Sequence, residues 1–232
     1  MKTSITCFIV LVNHLCHTCL ADLGLPRKGK LLFEDRFETP LNSSKWTIKE
    51  KFHGAFSIRE GMLVGRELPD AGHGSVIRAP FTSSEFVVEF DFVFKGGRQF
   101  NFVLDDMNCK EVHSGHIARV VFNRRGVTVQ DDKSGVMNLK LRSQFRQGTR
   151  WSEKIQPLLD SKKRFVSHRF KEGKLYHAVI TKSGDLLRCV VGDVSIELQS
   201  EGIAHPRLTQ FGPTITGGEI HFDNFTLWSL NP

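Results

Sequence analysis

The chain has 232 residues, of which 40% are hydrophobic and 25% are charged, and its formal net charge is +7. This length and mixture are typical of a folded globular protein and exclude a disordered or collagen-like chain. The sequence has no internal repeat of about 20 to 50 residues, which argues against solenoids and propellers.

Residues 1–21 have the pattern of a secretory signal. The positive charge of Lys2 precedes an uncharged and mostly apolar stretch that ends in the small residue Ala21. The alternative is a membrane anchor, which needs about 20 apolar residues, but polar residues interrupt this stretch. We therefore expect cleavage before Asp22, one domain over residues 22–232, no membrane-spanning segment in the mature chain, and a secreted or periplasmic location.

Signal cleavage would leave two cysteines in the mature chain, Cys109 and Cys189. A disulfide between them is possible in an oxidising compartment, but two cysteines are too few for a disulfide scaffold. The hydrophobic core must therefore stabilise the domain, and a chain of this size can bury enough surface to do so.

Most of the mature chain is predicted to form short strands. Apolar and polar residues alternate with period two between Gly, Pro, Asn or Asp, and nineteen Phe residues favour half-buried pleated surfaces. The predicted strands cover residues 30–37, 46–50, 55–58, 62–66, 75–79, 85–94, 99–105, 116–123, 127–131, 136–142, 165–170, 175–182, 186–191, 194–199 and 219–228. So many short strands predict an antiparallel β-sandwich of the jelly-roll kind.

Two neighbouring strands are predicted to pair as a hairpin. Phe90 and Phe92 lie on one face of the first strand, and Phe100 and Phe102 lie on one face of the second. Residues 95–98, Lys-Gly-Gly-Arg, form a suitable connection between them. We expect the aromatic faces to pack on a second sheet, with the polar faces lining solvent or a groove.

A short helix is expected over residues 152–160, because Ser152 is a favourable N-cap and an acidic residue follows it. Pro157 should shorten or kink this helix. The helix falls in a basic stretch, residues 140–174, which has eleven basic and three acidic residues. We therefore expect a basic helical insertion in the sandwich at about residues 143–164.

Several segments together resemble a known family of sandwich proteins. They are residues 32–37, Trp46, residues 60–63, 109–116, 200–206 and 220–228. With these segments the chain resembles the concanavalin A-like lectin/glucanase sandwich, and within it secreted bacterial 3-keto-disaccharide hydrolase-type domains, which are often described as family 16 glycoside hydrolase-like. The resemblance covers nearly the whole mature chain and implies this fold and a carbohydrate ligand. It leaves the activity open, because the sandwich hosts lectins, hydrolases and inert modules.

Glu89 and Asp91 begin a pattern that the resembled glucanases carry in full. Those enzymes have Glu-x-Asp followed by a second Glu on one strand, and their outer Glu carboxyl groups are about 5–5.5 Å apart. Val93 and Phe94 stand here where the second Glu is needed. Ordinary retaining glucanase activity is therefore not expected. Glu89, Asp91 and Asn101 are predicted to bind substrate, with a solvated strand face as the alternative for the carboxylate pair.

A second group of polar residues lies between two predicted strands. Asp106, Glu111, His113 and His116 fall within eleven residues, and such groups can transfer protons near neutral pH or hold a divalent metal. Their spacing matches no established zinc signature, and a purely structural loop is the alternative. We predict Glu111, His113 and His116 as catalytic residues or metal ligands, with Asp106 and His205 as supporting members.

The basic stretch at residues 140–174 also contains aromatic residues, which favours an anionic partner. Export argues against a nucleic acid, whereas Arg side chains pair well with the carboxylate or sulfate groups of an acidic polysaccharide. Arg142 and Trp151 are therefore predicted to bind substrate. A solvated insertion without a ligand is the alternative.

These observations together predict a carbohydrate-active protein outside the cytoplasm. The resemblance implies a hydrolase or lyase acting on 3-keto glycosides. The keto group acidifies the C2 proton, so a base could start elimination while a metal or a cationic side chain stabilises the enolate. The alternatives are a non-catalytic glycan-binding module and a structural domain of the cell envelope. An enzyme is favoured if the polar faces of two strands, Glu89 and Asp91 on one and Asn101 and Asp105 on the other, open with residues 106–116 onto one cleft with convergent histidines.

Overall fold

The computed structural model describes residues 27–146 and 154–230, and these ranges form an all-β structure with two short helices. The predicted signal and Trp151 lie outside the described residues. The strands are β1 (Lys28–Asp35), β2 (Thr47–Ile48), β3 (Phe56–Arg59), β4 (Met62–Gly65), β5 (Ser75–Ser83), β6 (Phe86–Asp105), β7 (His116–Asn123), β8 (Gly126–Asp131), β9 (Lys163–Ser167), β10 (Leu175–Ser183), β11 (Leu186–Val191), β12 (Val194–Gln199) and β13 (Leu208–Leu230). The helices are α1 (Leu139–Arg146) and α2 (Gln156–Ser161). Within these ranges there is no helix with the length and apolarity needed to span a bilayer.

The long strands β6 and β13 run antiparallel to each other through both layers of the sandwich. Residues 86–94 of β6 pair with β10 and with residues 220–229 of β13, and this is the centre of the first sheet. Residues 99–105 of β6 pair with β7 and with residues 210–216 of β13, at the centre of the second sheet. Strands β1, β3, β4, β11 and β12 complete the first sheet, and β2, β5, β8 and β9 complete the second. The predicted antiparallel β-sandwich is confirmed.

The predicted hairpin is wrong, because the two strands are halves of one strand that turns a corner. The chain continues through Gly96 and Gly97, and the two halves face each other across the core instead of pairing. Gly96 has φ 84°, and a Cβ on Gly97 would lie 2.4 Å from Cγ1 of Ile220. Glycine is therefore needed here for a bend between sheets, as it is at barrel corners.

The aromatic faces predicted to be buried form the core between the two sheets. The ring of Phe90 stacks on Phe102 at a centroid distance of 5.2 Å, and Phe92 meets Phe100 edge to face at 5.0 Å. All four side chains are fully buried. Aromatic pairs of this geometry add about 0.5–1.5 kcal/mol each beyond the burial of their surface. The prediction that these faces pack on a second sheet is confirmed.

The helical excursion differs from the prediction at both ends. The strand predicted over residues 136–142 is wrong, because residues 139–142 form the first half of α1, whose backbone N–H groups at Lys140 and Leu141 donate to Oδ1 of Asn138. The helix predicted over residues 152–160 is observed as α2, but it begins only at Gln156, with Ile155 at the N-cap position, and the predicted cap Ser152 lies outside the described residues. Pro157 lies in its first turn, where the missing N–H is tolerated. Strand β9 then rejoins the second sheet beside β8.

Both cysteines of the predicted mature chain are free, so the possible disulfide is not formed. Cys189 is fully buried in β11, and burial raises the pKa of its thiol far above the usual range. Such a thiol is held in its protonated, unreactive form and behaves as a small apolar side chain.

The corner in β6 sends its polar side chains to opposite sides of the molecule. The inner faces of the two sheets meet in the core, so Glu89 and Asp91 lie on the outer face of the first sheet. Asn101 and Asp105 lie on the outer face of the second sheet. The predicted substrate-binding set is therefore divided, and Glu89 and Asp91 do not share a cleft with residues 106–116.

Candidate functional site

A cleft of about 450 Å³ opens on the outer face of the second sheet. Outward-pointing side chains of β5, β6, β7 and β13 line it, and so do residues of the 106–115 loop and of α1. This volume lies within the usual range for ligand sites, about 300–1,000 Å³. The rigid sheet and the connecting segments at its rim together form a surface on which binding groups commonly collect.

Asp105, at the end of β6, and His116, at the start of β7, form a hydrogen-bonded pair in the cleft. Nδ1 of His116 lies 2.6 Å from Oδ1 of Asp105, whose residue is only 1% exposed. The second carboxylate oxygen accepts hydrogen bonds of 3.0 Å from Nε of Arg78 and Nε2 of Gln210. The carboxylate accepts a hydrogen bond from Nδ1–H of the imidazole. In the neutral ring Nε2 then carries no proton and can accept one from a ligand.

The electrostatics of this pair keep Asp105 ionised. Burial alone would raise the pKa of Asp105, but the hydrogen bond from His116 and the positive charge of Arg78 outweigh it and hold this pKa at about 2. An ionised carboxylate behind an imidazole fixes its tautomer and stabilises the protonated ring. Sequence reasoning placed Asp105 on the polar face of its strand but assigned it no catalytic role. The available signal was an acidic residue at the end of a strand with one polar face.

His113 reaches the cleft from a tight turn at the end of the 106–115 loop. Ser114 and Gly115 have φ values of 54° and 75°, and a Cβ on Gly115 would lie 2.7 Å from the carbonyl oxygen of Asp106. The ring centroids of His113 and His116 are 6.5 Å apart, and both side chains line the cleft. The structure therefore brings these two predicted histidines together.

The other predicted members of this group lie beside the cleft. Nε2 of His205 is 2.8 Å from Asp106, and its Nδ1 is 3.2 Å from Nζ of Lys133. Nζ of Lys133 also lies 3.8 Å from Glu111, whose side chain is 72% exposed. The His205 and Asp106 side chains are only 10% and 8% exposed. The buried pair of Asp106 and His205 therefore stabilises the conformation of the loop. Glu111 does not line the cleft with His113 and His116.

The described residues do not support the predicted metal site. Within residues 27–146 and 154–230, no three His, Cys, Asp or Glu side chains are grouped closely enough to hold a metal ion. Glu111 lies toward Lys133 rather than toward the histidine pair. The ligand set Glu111, His113 and His116 therefore does not fit a metal here, and we derive no step through one.

Basic and amide side chains contribute the rest of the polar cleft lining. Asn101 on β6 and Arg142 on α1 both line the cleft, as the sequence predicts. Arg119 on β7 also lines it and donates a hydrogen bond from Nε to the fully buried Asp132 at 2.5 Å. Sequence reasoning missed Arg119, because a single Arg on a strand looks like any exposed basic residue.

The predicted residues Glu89 and Asp91 belong to a separate polar cluster on the opposite outer face. Oε1 of Glu89 lies 2.6 Å from Nζ of Lys28. Asp91 accepts hydrogen bonds from His177 at 2.7 Å and from Asn224 at 2.8 Å. These carboxylates already have protein partners and do not line the cleft, which corrects their prediction as substrate-binding residues of the same site.

Comparison with solved structures identifies the fold. The structure is similar to a sialidase at a TM-score of 0.58 and 13% identity over 88% of this chain, which spans only 19% of the sialidase. It is also similar to a laminarinase from Flavobacterium sp. UMI-01, with a TM-score of 0.56 and 10% identity. This match covers 86% of this chain and 100% of the laminarinase. A non-specific endo-β-1,3(4)-glucanase of glycoside hydrolase family 16 has a TM-score of 0.55 and 9% identity. This match covers 89% of this chain and 95% of the glucanase. The chain has the concanavalin A-like glucanase fold. No protein-family model matches it, and no curated protein matches its sequence.

The glucanase fold is combined here with a cleft of different chemistry. Retaining glycosidases use two carboxyl groups about 5–5.5 Å apart. Asp105 is the one carboxylate among the described residues that line the cleft, and it is already bonded to His116, Arg78 and Gln210. The described cleft thus offers an imidazole backed by a carboxylate, with cations around it, rather than a carboxylate pair.

Proposed function

We propose that this chain is a carbohydrate-active enzyme that works outside the cytoplasm and cleaves 3-keto glycosides by base-initiated elimination. The observation that supports it is the Asp105–His116 pair, which places an imidazole in the cleft with an ionised carboxylate behind it. The location rests on the predicted signal at residues 1–21. The sugar ligand rests on the fold and on the family resemblance.

The proposed reaction starts at the carbon next to the ketone. Nε2 of His116 takes the C2 proton, and the electron pair of the C2–H bond forms an enolate on the C3 oxygen. The enolate then collapses into a C1=C2 double bond, the glycosidic C1–O bond breaks, and the leaving oxygen takes up a proton. Water can add across the double bond afterwards, which completes a net hydrolysis.

The surrounding residues suit the charges that develop in this reaction. Asp105 stays ionised and compensates the positive charge that His116 acquires. The cleft carries several cationic side chains, and a positive charge there can stabilise the enolate oxygen. The ring of His113 lies 6.5 Å from that of His116 and can deliver a proton to the leaving oxygen.

The test compares 3-keto disaccharides with their unoxidised parents, each incubated with the purified mature protein in deuterium oxide. We expect the protein to release a monosaccharide from the keto substrates only and to place deuterium at C2. Cleavage of the unoxidised parents with retained anomeric configuration would contradict the proposal. So would the absence of cleavage and of C2 exchange on every keto substrate.

A glycan-binding module without catalysis is the second candidate. It is favoured by the amide and hydroxyl groups that Asn101, Gln210 and Thr214 present to the cleft, because such groups hold sugars without chemistry. Isothermal calorimetry with unoxidised oligosaccharides separates the two candidates. Binding of these sugars together with no cleavage of any keto substrate would favour the module.

A further inference from the structure

The cleft carries a clear excess of positive charge. Its ionised lining residues are five cations and one carboxylate: Lys49, Lys51, Arg78, Arg119, Arg142 and Asp105. Asp105 neutralises Arg78, and Asp132, beneath the cleft, neutralises Arg119. The other three cations form no ion pair with any residue in the described ranges. Five cations against two carboxylates leave an excess of three positive charges at a concave surface, where such an excess attracts anions.

Arg119 has a hydrogen-bond donor that the described protein does not satisfy. Its Nε is bonded to Asp132, but its Nη2 is buried and has no partner among the described residues. Leaving a buried donor unsatisfied costs about 1–3 kcal/mol, and more for a charged group. Arg119 lines the cleft, so a rotation of its guanidinium would bring this donor to an anion bound there, which would supply the missing acceptor.

The position of Arg119 relates this donor to the histidine pair. His116 lies opposite Asp105 in the register of β6 and β7, and Arg119 lies opposite Val103. Val103 and Asp105 are two residues apart on β6, which corresponds to about 7 Å along the strand. Arg119 therefore lies about 7 Å from His116 along the sheet face that forms the cleft. A group held by Arg119 would therefore sit on the sugar unit at His116 or on the next one.

Arg142 adds a second guanidinium from outside the sheet. It extends from α1 into the cleft, and its Nη1 donates to the carbonyl oxygen of Val136 at 3.3 Å. Its Nε and Nη2 form no hydrogen bond with a described residue. Guanidinium groups match the paired oxygens of carboxylate and sulfate groups, so two of them around one sugar suit an acidic unit better than a neutral one.

We infer that the glycan bound in this cleft carries an oxyanion, a carboxylate or a sulfate, which Arg119 and Arg142 hold beside the histidine pair. The inference rests on the proposed function only in placing a sugar in the cleft. It goes beyond that function by naming an acidic sugar as the ligand class, and it assigns selectivity to these two arginines rather than to the whole basic stretch.

The test measures binding without turnover, so it does not depend on the proposed reaction. Calorimetry of the full mature protein uses unoxidised oligosaccharides of equal length that are neutral, uronate-containing or sulfated. We expect one acidic series to bind about tenfold tighter than the neutral one, and the tighter series identifies the anion. Equal affinity for neutral and acidic sugars would overturn the inference, whether or not keto substrates are cleaved.

Matched variants test whether the preference for acidic sugars comes from the two arginines of the cleft. Arg142→Gln should lower the affinity for the acidic sugar about tenfold and lower the affinity for the neutral one much less. Arg169→Gln makes the same charge change at an exposed residue that does not line the cleft, and it should change neither affinity. Arg119→Lys keeps a cation beside Asp132 but removes the guanidinium, so it should weaken acidic binding, and the unfolding midpoint of the variant measures the cost of losing the Nε hydrogen bond to Asp132. An equal loss in Arg142→Gln and Arg169→Gln would mean non-specific attraction and would also overturn the inference.

Discussion

The two outer faces of the sandwich each carry a histidine bonded to an aspartate, at almost the same distance but in different surroundings. Nδ1 of His116 lies 2.6 Å from Asp105 in the cleft, and Nδ1 of His177 lies 2.7 Å from Asp91 on the opposite face. The Asp105 and His116 side chains are 1% and 18% exposed, whereas those of Asp91 and His177 are 16% and 54% exposed. The pairing alone therefore does not mark a site. Burial, a neighbouring Arg78 and an open cleft distinguish the first pair.

The two pairs also differ in the pKa shifts of Asp105 and His177. In the cleft, Asp105 resists protonation because His116 and Arg78 offset the effect of burial. On the opposite face, the hydrogen bond to Asp91 raises the pKa of His177 against a smaller opposing effect of burial. We therefore expect the cleft to respond to acid and the opposite face to respond to pH near neutrality.

The largest expected effect is on stability, from Asp105→Asn. Removing this charge leaves the buried guanidinium of Arg78 without its anion, which should lower the free energy of unfolding by about 3–5 kcal/mol. Asp91→Asn is the matched change on the opposite face and should cost less than about 1 kcal/mol, because its partner His177 is largely exposed. Urea unfolding monitored by tryptophan fluorescence compares them. Similar losses in both variants would remove the distinction between the two pairs.

The second effect is on turnover, from His116→Gln. A general base contributes about 10²–10⁴-fold to a rate, so cleavage of the keto substrate should fall by about a hundredfold or more. His177→Gln should leave the rate unchanged, because His177 lies on the other side of the sandwich from the cleft. Steady-state rates with one substrate measure both. A His116→Gln protein with the wild-type rate would exclude this residue as the base.

The third effect is an acid-dependent loss of stability. The pKa of Asp105 is about 2 in the folded protein, below its usual value of 3.8, so the charged carboxylate stabilises the fold above pH 4. This contribution, about 2 kcal/mol, should be lost as the pH falls from about 4 to 2. Unfolding free energies over this range should fall in the wild-type protein and fall less in Asp105→Asn. Identical slopes in the two proteins would contradict the role of Asp105.

The smallest effect is expected from His177→Gln. Because the pKa of His177 is raised in the folded protein, its stabilising contribution is complete below the unfolded value of about 6.5 and is lost as the pH rises through the folded value. The variant should therefore be slightly less stable than the wild type at pH 6 and equally stable at pH 9. Differential scanning calorimetry at the two pH values checks this, and a larger difference at pH 9 would reverse the assigned sign.

The alternation of residue types along the chain is enough to predict which side chains face inward. Alternation on a strand is a local property of the sequence. The burial of Phe90, Phe92, Phe100 and Phe102 could therefore be predicted without knowing which strands they pack against. Local turn chemistry also placed residues 106–115 between two strands as a loop.

Which strands share a sheet, and which polar residues share a face, depends instead on contacts between segments that are distant in sequence. The Gly96–Gly97 bend looks like a hairpin in sequence, but it carries β6 from one sheet to the other because β13 bends beside it. This long-range pairing sends Glu89 and Asp105 to opposite sides of the molecule. Glu111 likewise lies toward Lys133, which comes from a distant segment, and not toward the two histidines, and no sequence spacing reports such a contact. Side-chain alternation is encoded within a few residues, whereas the cleft depends on contacts between segments far apart in the chain.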